Sequence, residues 1–160
     1  MRSKLSLILF ATFLYASLLI TDGVDASAEE CRSVYVIGNA RQIVDCPVDQ
    51  KFDYCIIRTS LVDRTGLLTG RLEFFEDSSR GSKHPDAPSM NLYVGVNKIT
   101  TEGGVLDLTE RGVFDTDSLE FAGLATITGG TGELAGYTGT VANVGNSEGP
   151  VQITGTICKQ

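Results

Sequence analysis

Thirteen residues, Gly129-Gly-Thr-Gly-Glu-Leu-Ala-Gly-Tyr-Thr-Gly-Thr-Val141, constrain the fold of this chain more than any other stretch. They follow a β-rich run and place glycine at positions 129, 130, 132, 136 and 139. Glycine tolerates positive φ and close backbone approach, so this spacing suits a sharp turn followed by a strand that bends around a barrel corner. It does not suit a helix.

The same letters satisfy a loose dinucleotide pattern, Gly130-Thr-Gly132-Glu-Leu-Ala135, after the strand-like Leu124–Thr128. A nucleotide site of that kind needs a helix to begin at once, with its N-terminus facing a pyrophosphate. The chain continues instead as Gly136-Tyr-Thr-Gly-Thr-Val-Ala-Asn-Val144, rich in glycine and β-branched residues. No Lys-Ser or Lys-Thr pair follows the glycines, so a phosphate-cradling P-loop fails as well.

Arg2 and Lys4 precede an apolar run from Leu5 to Ile20, and small residues follow, ending Ala26-Ser27-Ala28. This pattern predicts a secretory signal peptide over residues 1–28, cleaved after Ala28, ahead of one domain over residues 29–160. An uncleaved anchor would need about 20 apolar residues, slightly more than the run supplies. The leader holds two basic and two acidic residues, so its removal leaves the net charge at −7. That balance argues against nucleic acid or an anionic membrane surface as partner. The acidic residues form no long block, which favours solubility over an acidic tail.

Cys31, Cys46, Cys55 and Cys158 all lie after the leader, and export would carry them into an oxidising compartment as disulfides. Three pairings are possible. Cys46 and Cys55 bracket a short polar segment and could staple it, in which case Cys31 and Cys158 tie the two ends together. A zinc site would need closely spaced ligand pairs and more than one histidine, so no metal is expected.

Eight segments rich in β-branched and aromatic residues, separated by turn formers, read as strands: 33–37, 52–62, 67–75, 90–99, 105–114, 119–128, 136–144 and 151–158. Eight strands in one small domain, with short meander connections, predict an all-β antiparallel barrel or sandwich. In the fourth segment Met90, Leu92, Val94 and Val96 share one face, and Asn91, Tyr93, Gly95 and Asn97 the other. In the last, Val151, Ile153 and Ile157 oppose Gln152, Thr154 and Thr156. Whether a polar face lines a cavity or meets solvent is left open by the pattern. Residues 77–89, with two prolines and almost no apolar anchor, read as a mobile surface loop able to cover a barrel mouth.

With strands and glycines placed, the chain resembles the allene oxide cyclase and dirigent-like superfamily over about residues 54–157. Two places carry the resemblance: Thr65-Gly-Leu-Leu-Thr-Gly-Arg71, similar to the family's Gly-x-x-x-Gly-Arg turn and strand, and Gly129 to Val141, similar to its Gly-Gly-Thr/Ser-Gly turn with later glycines matching Gly136 and Gly139. The resemblance implies an eight-stranded antiparallel β-barrel, chain ends close enough for a Cys31–Cys158 bridge beside Cys46–Cys55, and assembly as a homodimer or homotrimer. Two arginines of plant dirigent proteins are replaced here by Ala135 and Thr138. The acidic, asparagine-rich opening of plant allene oxide cyclases has no counterpart between Glu29 and Cys46.

The single histidine, His84, precedes Pro85 in the expected loop and makes a poor catalytic base. Glu73, Asp107 and Glu110 lie in or near strands and could supply paired carboxylates. Arg71, at a strand start, reads first as a salt-bridge residue and second as a polar ligand contact, with Asn91, Tyr93 and Tyr137 as the other expected contacts. No catalytic residue and no cofactor are expected. The leading expectation is a secreted dirigent-like barrel that binds a small apolar or phenolic molecule and guides its stereochemistry by orientation. A cyclase-like isomerase acting on a lipid epoxide and a ligand-free structural barrel are the alternatives.

Overall fold

The structure, a computed structural model, describes residues 30–48, 52, 54–82 and 84–160. The signal-peptide segment of the sequence reading lies outside the described residues. Nine antiparallel strands form: β1 (Glu30–Gly38), β2 (Gln42–Ile43), β3 (Tyr54–Asp63), β4 (Gly70–Gly81), β5 (Met90–Thr101), β6 (Val105–Asp115), β7 (Glu120–Gly130), β8 (Tyr137–Asn146) and β9 (Val151–Lys159). Eight of them close into a ring in the order β1-β9-β8-β7-β6-β5-β4-β3, and β1 pairs back onto β3 through Val36↔Asp63, Ile37↔Val62 and Gly38↔Leu61. Closure removes the exposed edges that an open sheet of this length would carry. The short β2 adds to β3 where β3 extends past β1.

The eight expected strands are therefore the eight of the ring, each shifted by a few residues at its ends. One expectation needs correction. Residues 77–81 are not loop, because β4 resumes after a bulge between Glu76 and Ser78 and pairs Ser78 to Gly81 with Val94 to Asn91 of β5. Their polar side chains carry little strand propensity, and the backbone ladder to β5 holds them extended regardless. The connection shrinks to residues 82–89, with His84 exposed upon it.

The two ends of the barrel differ. At one end the inward side chains are aliphatic apart from Tyr137, and Leu68, Leu72, Ile99, Leu106, Leu108, Ile127, Leu134, Tyr137, Val141 and Ile157 form a closed core with Val34, Val36 and Ile153. Both glycine-bearing motifs lie there. The loop before Arg71 is folded by Asp63, whose carboxylate accepts hydrogen bonds from Thr65 Oγ1 and Leu68 N–H, setting Leu68 into the core. The segment after β7 makes a single 3₁₀ turn, Gly132–Leu134, that sets Leu134 into the same core. Gly132 has φ of +60°, and a Cβ there would sit 2.2 Å from the carbonyl oxygen of Gly103. Both backbone geometry and contact demand glycine at this position.

Disulfides Cys31–Cys158 and Cys46–Cys55 are both formed. The first joins paired residues of β1 and β9, and the second ties the chain ahead of β3 to that strand. Two disulfides point to an oxidising compartment.

Candidate functional site

The opposite end of the barrel holds a cavity of about 500 Å³, within the range of small-molecule sites. Strand alternation selects its lining. On β5 the polar face turns inward, so Asn91, Tyr93 and Asn97 reach the cavity while Leu92 faces out and is exposed. Leu72, Phe74, Glu76 and Ser79 come from β4, and Glu110 and Phe114 from β6. Tyr54, Ile56 and Arg58 line it from β3, Phe121 from β7 and Asn143 from β8. The connections add Arg41, Thr116, Leu119 and Ser147 at the rim.

The floor is polar. Glu110, 1% exposed, lies four residues along β6 from Phe114, roughly 13 Å deeper in extended chain. It accepts a 2.6 Å hydrogen bond from the Tyr93 hydroxyl, a second from Asn97 Nδ2 and a third, at 3.1 Å, from Asn143 Nδ2. Among the described residues no cation lies within ion-pair distance of it. Two glycines on neighbouring strands make room for the cluster: a Cβ at Gly112 would meet the Tyr93 ring at 2.6 Å, and one at Gly123 would meet Glu110 Oε1 at 2.3 Å. Burial first, then the neighbouring Glu110, pushes the Tyr93 phenol far above its ordinary range, so it stays a donor.

Because Asn97 and Asn143 both turn their amide nitrogens to Glu110, their carbonyl oxygens are left buried without a hydrogen-bond partner. Each is an acceptor in want of a donor, and leaving such a group unmatched costs about 1–3 kcal/mol. The Tyr93 ring also meets Phe74 edge-on at 5.8 Å between centroids. The walls are thus aromatic and aliphatic over an accepting floor.

The rim carries the other charge. Arg58, also 1% exposed, donates to the backbone carbonyls of Asn39, Gly149, Asn146 and Ser147, and so ties β3 to the β8–β9 turn. Burial, with like charge from Arg41 second, lowers its guanidinium to about 10, still protonated at neutral pH. Arg41 stacks over the Tyr54 ring at 5.4 Å.

Of the four ligand contacts expected from sequence, the structure brings Asn91 and Tyr93 to the cavity. Arg71 points outward from β4 and pairs with Glu73 at 2.9 Å, and Tyr137 sits in the closed core with Lys159 over its ring. Glu73 and Asp107 face away from the interior; Glu110 alone of the three expected carboxylates projects inward. Ala135 and Thr138 lie at the closed end, away from the cavity. Among the described residues no group of three metal-ligating side chains is assembled. Sequence reasoning missed Arg58, Glu76 and Asn143, although Asn97 was already placed on the same face as Tyr93. Comparison of the chain with family models, with curated proteins and with solved structures returns no match.

Proposed function

We propose that this protein is a secreted dirigent-like barrel, related in architecture to the allene oxide cyclase and dirigent-like superfamily, that binds a small phenolic molecule and fixes its orientation during reaction. One observation carries the reading: an open cavity with aromatic walls is floored by Asn97 and Asn143, whose amide oxygens are buried and unpartnered. A phenol matches both features, since its ring packs against Phe74, Phe114 and Phe121 while its hydroxyl donates to an Asn oxygen. Held in this way, a reactive intermediate presents one face, and bound geometry replaces random encounter. The cavity weighs against a ligand-free structural barrel. In this reading the partner is the small molecule together with further copies of the chain, as homodimer or homotrimer, with no part for nucleic acid or membrane.

A second reading draws support from Glu110. A buried carboxylate beneath an apolar cavity suits stabilisation of positive charge as a lipid epoxide opens and cyclises. Two assays separate them. Oxidative radical coupling of a phenol, with an external oxidant and the protein present, should give enantiomeric excess; cyclisation of an allene oxide should give racemic product. Chiral cyclised product with racemic coupling reverses the assignment, and racemic product in both assays removes any steering role.

A further inference from the structure

We infer that the molecule held in the barrel is an anion, its carboxylate bound at the cavity rim by Arg41, Arg58 and the hydroxyl of Ser147. This deepens the binding reading above and rests on it. Arg58 is a buried cation whose contacts are neutral carbonyl oxygens, those of Asn39, Asn146, Ser147 and Gly149. Among the described residues no carboxylate lies within 4 Å of it, whereas buried charges are as a rule paired. Arg41 lines the same cavity with its side chain 16% exposed, and its ion-pair partner, Glu148, is 3.8 Å away and mostly in solvent. Such a pair holds a guanidinium weakly.

An independent observation comes from Ser147. Ser147 lines the cavity, its side-chain oxygen is buried just behind the wall without a hydrogen-bond partner, and its backbone carbonyl accepts from Arg58. A hydroxyl donor and two guanidinium groups therefore share one part of the wall, on the side of β3 and the β8–β9 turn. The cavity's own acids do not neutralise them. Glu110 is engaged by Tyr93, Asn97 and Asn143, and Glu76 stands on β4 without an ion pair to either arginine. The whole chain carries −7, so attraction for an anion here is local rather than a property of the overall field. A planar carboxylate fits the guanidinium fork of Arg41, while Arg58, whose Nη1 and Nη2 already donate to four backbone carbonyls, adds its charge beside it; an aromatic body fits Ile56, Phe74, Phe114 and Phe121. The ligand class is an aromatic acid with a hydroxyl at its far end.

The test is calorimetric titration of the disulfide-intact protein with 3-(4-hydroxyphenyl)propionate and with its methyl ester, which keeps the body and removes the charge. The acid should bind at least about tenfold more tightly than the ester, as loss of a charge-assisted contact implies. Arg41→Gln and Arg58→Gln should each cut that advantage severalfold or more. Should Arg58→Gln fail to fold through loss of its carbonyl contacts, Arg41→Gln decides alone, because Arg41 holds no buried carbonyl. Equal affinity for acid and ester, or an undiminished advantage in Arg41→Gln, overturns the anion site and leaves a barrel for neutral phenols. Failure of both compounds to bind overturns the cavity reading as well.

Discussion

Tyr93 of β5 donates its phenolic hydrogen to Glu110 of β6 across 2.6 Å, diagonally over the Gly95↔Glu110 pair, and both side chains are buried. The bond links the aromatic wall of the cavity to its floor. Tyr93→Phe leaves a Glu110 oxygen short of its nearest donor, with the ring and its contact to Phe74 retained. The expected loss is about 1–3 kcal/mol in urea unfolding. An unchanged midpoint would mean that water replaces the hydroxyl without cost.

The same pair has a signature in alkali. The folded pKa of Tyr93 is raised above its ordinary 10.0 by burial and then by Glu110. The group therefore contributes stability that is whole below pH 10 and is lost as pH rises above it, where only the unfolded chain ionises. Absorbance titration at 295 nm should show the same native phenolate amplitude in wild type and Tyr93→Phe. In denaturant the wild type should exceed the variant by one tyrosine. A native amplitude that drops in the variant would show that Tyr93 titrates freely.

Gly132 and Gly129 belong to the same sequence motif but should respond differently to alanine. At Gly132 the φ of +60° and the Gly103 carbonyl at 2.2 Å oppose a side chain, whereas at Gly129 the nearest atom, Asp107 Oδ2, is 3.8 Å away. Thermal melts of Gly132→Ala should fall by several degrees or more, equivalent to more than about 1 kcal/mol. Gly129→Ala should melt close to wild type. Equal melting of the two variants would mean that the 3₁₀ turn has been placed wrongly.

The disulfides should differ in weight. Cys31–Cys158 spans 127 residues and Cys46–Cys55 spans 9, which in the chain-entropy model corresponds to about 5 and about 2.5 kcal/mol. Replacing Cys31 and Cys158 together by serine should therefore lower the denaturant midpoint more than the same change at Cys46 and Cys55. Non-reducing peptide mapping of the wild type should recover both pairs, and crossed pairs would contradict the strand register that places Cys31 opposite Cys158.

Much of the barrel was legible because its information is local. Glycine and polar turns punctuate β-branched runs, and Val151, Ile153 and Ile157 alternate inward as the period of two requires. The far part of β4 was not legible, since Ser78 to Gly81 look like loop and are strand only by pairing with β5. The direction of β5 was hidden for a related reason. Its apolar face, with Leu92, lies outside, and Tyr93 and Asn97 turn in; Gly112 and Gly123 on β6 and β7 leave the space that the Tyr93 ring and hydroxyl occupy. Arg58 could not be found locally at all: its partners Asn146 to Gly149 are some ninety residues away, on the far side of the ring closure. Arg71, by contrast, has its partner two residues on, and the salt-bridge reading made from sequence is the contact observed.

The most direct measurement of the central claim is a crystal structure of the disulfide-intact protein grown with 4-propylphenol, a neutral probe that needs no rim cation. The ring should lie between Phe74, Phe114 and Phe121, with its hydroxyl within hydrogen-bond distance of Asn97 Oδ1 or Asn143 Oδ1. A cavity closed by inward movement of those aromatic side chains, or a phenol bound only on the outer face of the barrel, would contradict it.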